Sequence, residues 1–145
     1  MSYYFSKTIA LPFDESVDRI KAELKKEGFG VLTEIDVRKT LKDKIGVDFR
    51  PYLILGACNA PFAYKALQAE DKIGTMLPCS VIVQELAPGR VEVAAIDPLA
   101  SMAAVANPGL GEVGLEVREK LKGLIYNKGP FFLIQTATDE RPISL

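Results

Sequence analysis

The chain has 145 residues, 18 basic and 19 acidic, with a formal net charge of −1. That length most simply makes one domain, able to bury roughly 70% of its unfolded surface without help from a disulfide or metal. The charge balance gives no electrostatic reason to bind nucleic acid or an anionic membrane, and the absence of histidine excludes Ser–His–Asp and Cys–His groupings, histidine bases and histidine metal ligands within the chain.

Tyr3 to Ile9 is aromatic-rich and β-branched, and reads as a strand. An amphipathic helix follows, with Phe13, Val17, Ile20 and Leu24 on one stripe. Asp14 and Glu15 suit its positive end, Lys25 and Lys26 its negative end. Gly28 is a natural left-handed terminator, with Phe29 supplying the apolar contact after it.

Val31 to Val37 alternates, so Val31, Thr33, Ile35 and Val37 are expected on one strand face and Leu32, Glu34 and Asp36 on the other. A short helix from Arg38 to Ile45 should end at Gly46. "RPYLILGA", Arg50 to Ala57, is the next strand; Tyr52 to Leu55 are all apolar, which predicts cover on both faces. Asn59 is placed to cap a helix through "APFAYKALQA", with Pro61 in its first turn.

Two β-rich runs from Cys79 to Asp97 flank Ala87-Pro88-Gly89-Arg90, which suits a hairpin with a type II turn. Asp97 should cap a short apolar helix, "PLASMAAVA", ended by Asn107-Pro108-Gly109. Leu110, Val113, Val117, Leu121 and Leu124 make the stripe of a last helix from about Leu110 to Ile125. The pattern is an α+β layered domain over residues 1–128. Residues 129–145 form a C-terminal extension in which "PFFLIQT" has strand character, read as an extra strand or a segment docked on a partner.

No run approaches the ~18 consecutive apolar residues of a membrane span, and "MSYYFSKTIALPFDES" lacks the basic-then-apolar pattern of an export signal. With only two cysteines, these features point to the cytoplasm, where thiols stay reduced. Neither a phosphate-binding GxxxxGK[ST] loop nor a GxGxxG fingerprint occurs, and no cofactor is implied.

Cys58 and Cys79 carry one open question. Free cysteine often packs as a small buried hydrophobe. Yet Cys58 precedes a helix start, where a thiol pKa can fall. The pair can alternatively cycle between dithiol and disulfide, or hold a soft metal together with Glu34 or Asp36. Glu34 and Asp36 form a second candidate set, expected ~6.5–7 Å apart on one strand face, with Arg50 able to pair with either and Asn59 nearby as a further polar group. The alternative is a solvated strand edge with one weak ion pair. Tyr52 reads as a core residue.

Three pieces of the sequence, "TEIDV…TLK.K.GVDF" from Thr33 to Phe49, "RPY.ILGACN" from Arg50 to Asn59 and "LPC" ending at Cys79, resemble the bacterial and archaeal family called domain of unknown function 302. They span about a third of the chain, in the family's order and spacing. The resemblance implies a TATA-binding-protein-like layout: a curved antiparallel sheet with helices packed on it, β-α-β(4)-α, often seen as dimers. It implies no activity and no role for the cysteines. The tail after Ile125 departs from the family pattern. Whether the protein is an enzyme stays open. The expectation is a homodimeric, non-catalytic module binding a small ligand or a protein partner, or alternatively a thiol-redox or soft-metal protein using Cys58 and Cys79.

Overall fold

The structure, a computed structural model, describes residues 2–126. The extension at 129–145, with its apolar "PFFLI", lies outside the described residues.

Five strands form one open antiparallel sheet in the order β1-β5-β4-β3-β2. They are β1 (Tyr4–Ile9), β2 (Gly30–Asp36), β3 (Tyr52–Cys58), β4 (Cys79–Ala87) and β5 (Arg90–Ile96). Helices α1 (Phe13–Lys26) and α5 (Gly111–Tyr126) pack on one face. Three shorter helices, α2 (Val37–Ile45), α3 (Ala60–Ala69) and α4 (Pro98–Ser101), fill connections. This is the α+β, β-α-β(4)-α layout that the strand and helix periodicities predict.

Each long helix is explained by its own stripe. Val17, Ile20 and Leu24 of α1 and Val117, Leu121 and Leu124 of α5 are buried against Phe5, Leu55, Val81, Val83, Val93 and Ala95 of the sheet. Burying a side chain of this kind stabilises the fold by about 1.5–3 kcal/mol. The end of α1 follows from Gly28. At φ +86° it lets its own N–H reach Lys25 O (3.0 Å) and the Phe29 N–H reach Leu24 O (2.9 Å). Those two bonds close a Schellman motif, and Phe29 joins the core. Gly89, φ +73°, takes the left-handed position of the β4–β5 turn.

The alternation expected along β2 fails at one residue. Val31 pairs with Ala57 but Thr33 pairs with Gly56, so Leu32 is an extra residue in the ladder. Such a bulge shifts every later side chain to the opposite face. Val31, Glu34 and Asp36 therefore share the helix-facing side and Thr33 and Ile35 the other, while Leu32 is 67% exposed. Gly56 fits this arrangement: a Cβ there would run into the Thr33 hydroxyl and come within 2.7 Å of the Pro78 ring.

Two further expectations are corrected. Of the apolar run in β3 only Leu55 is buried; Tyr52, Leu53 and Ile54 are half-buried, because the helices cover one face only and β2 beside them is an edge strand. The "PLASMAAVA" helix is a single turn, α4. Beyond it the chain tightens into i→i+3 bonds, Ala103 N to Ala100 O and Val105 N to Met102 O, which let Met102 and Val105 gather around Leu110. A 3₁₀ helix at Asp71–Met76, which periodicity does not reveal, buries Ile73 in the same small cluster.

Candidate functional site

The polar candidates are dispersed. Glu34 reaches Lys21 of α1 at 2.9 Å. The Asp36 carboxylate accepts the Lys39 N–H at 2.9 Å and caps α2. Arg50 pairs with neither carboxylate, in contrast to the expectation from sequence. Tyr52 and Gln84 are ladder partners on the face away from the helices, and Arg50 Nε donates to Gln84 Oε1 at 2.7 Å. Gln84 in turn donates to Glu92 at 2.8 Å. The guanidinium lies 4.4 Å from the Phe49 ring centre and 5.8 Å from that of Tyr52. Tyr52 is half-buried rather than core; burial raises its phenol pKa, against the opposing effect of the Arg50 charge.

Asn59 stands at the N-terminus of α3 but its side chain makes no capping bond. Its amide instead turns toward Glu27 O, at 3.5 Å, and packs over Gly28.

The two cysteines lie at the same end of the sheet. Cys79 opens β4 opposite Ala57, so Cys58, the next residue of β3, is offset from it by one ladder position. Both line a single apolar pocket where the end of the sheet meets α3, α4 and α5. Phe29, Phe62, Met102 and Val117 supply much of its wall, and its water-sized interior is about 30 Å³. That is room for a water or an ion. Both thiols are free; Cys58 is half-buried and Cys79 buried. Burial, with a smaller contribution from Cys58, pushes the Cys79 thiol up to about 11, so Cys79 carries its proton at neutral pH.

The proposed combination of both cysteines with Glu34 or Asp36 does not assemble. Among the described residues no three Cys, Asp or Glu side chains converge to hold a metal. Glu34 and Asp36 pair along β3 with Leu55 and Leu53, at a distance from the pocket end of the strand. Sequence reasoning missed Met102, Phe62 and Val117 as neighbours of the cysteines. No local signal links residues 58, 79 and 102, because the pocket is made only when α3, α4 and α5 close over the sheet end.

Comparison with known proteins gives a consistent picture. The family model "Domain of unknown function DUF302" matches residues 5–127. Among solved structures, the chain is similar to an uncharacterized conserved DUF302 protein from Bacillus stearothermophilus, with TM-score 0.77 and 27% identity over 85% of this chain and 95% of that one. No curated protein matches. Among the described residues, no helix is long and apolar enough to cross a membrane.

Proposed function

The chain belongs to the DUF302 family, and from that premise we propose that it is a non-catalytic module: a homodimer that holds a small ligand in the Cys58–Cys79 pocket. The observation that carries this reading is the division of labour among the candidate residues. Glu34, Asp36 and Arg50 are each turned to structural partners, whereas the pocket walls, which include Asn59, are mostly apolar and converge from several elements. Ligand sites are mostly apolar concavities with a few polar groups, and a volume of about 30 Å³ limits this one to a ligand the size of a water or an ion.

A limb made of β2 and α2 supports the homodimer. No residue of α2 is buried, although Val37, Leu41 and Ile45 recur every fourth position. Ile45 is 65% exposed, and Leu32, Ile35 and Val47 are exposed beside it in sequence. Exposed apolar clusters mark interfaces, and a two-fold pairing places the same patch on both subunits. A reducing compartment such as the cytoplasm suits a protein that keeps both thiols free.

Light scattering and xenon binding test the two halves separately. The expected results are a dimer mass, and xenon-induced NMR shifts confined to Met102, Phe62 and their neighbours. A strict monomer overturns the homodimer, and xenon shifts elsewhere overturn the pocket.

A further inference from the structure

The two edges of the sheet, β1 and β2, differ in a way that their positions do not explain. Five of the six residues of β1 are buried, whereas every residue of β2 except Val31 is exposed. Phe5 and Ile9 of β1 pack in the core with α1 and α5. Strand alternation therefore turns Ser6 and Thr8 to the other face of the sheet, where they are 2% and 0% exposed. Ala94, the ladder partner of Ser6, is 8% exposed. We propose that the β1–β5 end of this open sheet face is a docking surface for the protein's own C-terminal segment, anchored by Phe131 to Ile134. The inference stands apart from the Cys58–Cys79 pocket and from the β2–α2 contact.

Burial along one cross-strand row shows the side from which the cover comes. The row runs Ser6, Ala94, Ile82, Ile54 and Ile35 through the β1–β5, β5–β4, β4–β3 and β3–β2 registers. Ser6 and Ala94 are buried, Ile82 and Ile54 half-buried, and Ile35 is 49% exposed. Cover is therefore complete at β1 and fades toward β2. The helices α1 and α5 lie on the opposite face and do not supply it. The competing occupant is a second copy of the chain, but Ser6, Thr8 and Ala94 are buried within a single chain.

The described chain ends beside this surface. Tyr126 closes α5 with its ring 5.9 Å from that of Phe5. Its hydroxyl accepts the Ser6 N–H at 3.3 Å and its carbonyl accepts from Lys7 Nζ at 3.3 Å. Phe131 follows five residues later, a reach of up to about 17 Å. Neighbouring strands lie about 4.8 Å apart, so β1, β5 and β4 are all in range. Phe131, Phe132, Leu133 and Ile134 are consecutive apolar residues, which gain by leaving water. The Thr8 hydroxyl is buried and has no hydrogen-bond partner among the described residues. Water or a polar cover would offer it one; a hydrocarbon cover does not.

The test uses the full chain and methyl NMR. Nuclear Overhauser contacts are expected from the Phe131 or Phe132 ring protons to the Thr8 and Ala94 methyl groups; their absence overturns the docking surface. Methyl-labelled, otherwise deuterated chain is then unfolded and refolded with an equal amount of unlabelled chain. Ring-to-methyl contacts in that mixture pass between chains and would overturn the assignment to the chain's own segment. In F131S/F132S the Thr8 and Ala94 methyl signals should shift while those of Val117 and Leu121 on the helix side stay in place. Binding of the apolar dye ANS, which reports exposed hydrophobic surface, should rise several-fold. Unmoved Thr8 and Ala94 signals in this variant overturn the proposal. If the variant does not fold, the contacts in the unaltered chain still decide.

Discussion

Lys21 of α1 places its Nζ 2.9 Å from Glu34 Oε1 on the edge strand β2, so the carboxylate is turned toward the helix layer and serves as a tether. Both side chains are between a third and a half exposed, so the pair is screened by water and salt. E34Q should therefore cost no more than about 1 kcal/mol, and that cost should vanish in molar salt. Urea denaturation at low and high salt checks this; a loss of several kcal/mol would mean that Glu34 does more than tether β2.

The Cys79 thiol, raised from 9.0 to about 11 by burial, makes stability depend on alkaline pH. The folded state holds the proton more tightly than the unfolded state does. The contribution is fully present below pH 9 and is lost as pH rises through about 11. The loss is on the order of 2–3 kcal/mol, and C79A should remove this part of the alkaline slope. Denaturant midpoints between pH 8 and pH 11 read it directly. Near pH 8, well below that value, Cys79 should resist iodoacetamide in native protein, since the thiol is not the nucleophile.

G56A should destabilise the fold by about 1–3 kcal/mol, the usual range for overpacking. The added methyl meets the Thr33 side chain and the Pro78 ring at the point where the β2 bulge resets the register. Combining it with T33A, which removes the obstructing hydroxyl, should recover only part of the loss, because Pro78 remains. Thermal melts of the three variants are sufficient.

I45E replaces a side chain that is 65% exposed. Surface changes of this kind usually alter monomer stability by no more than about 0.5 kcal/mol. If α2 forms the subunit contact, the variant should run as a monomer in light scattering with its circular dichroism unchanged. A variant that keeps the dimer mass would move the interface away from α2.

The main elements were legible because their causes are local. The α1 stripe, Gly28 with Phe29, the Pro88-Gly89 turn and the Val117–Leu121–Leu124 face each record a periodicity or a backbone preference that acts within a few residues. The length of α4 and the facing of β2 were not legible. A bulge at Leu32 adds one residue to one strand, and only pairing with β3 fixes where that residue is absorbed. Arg50 was misplaced for the same reason: its neighbours in space, Gln84 and then Glu92, are set by the β3–β4 and β4–β5 registers.

By itself the sequence determined an α+β chain without histidine chemistry, its helix ends, its central hairpin and its resemblance to DUF302, since these depend on residue type and short-range spacing. Tertiary structure alone decided that Cys58, Asn59, Cys79 and Met102 line one apolar pocket while Glu34, Asp36 and Arg50 are dispersed. Convergence of residues distant in sequence is a property of strand register and helix packing, and neither is encoded in any one stretch of the chain.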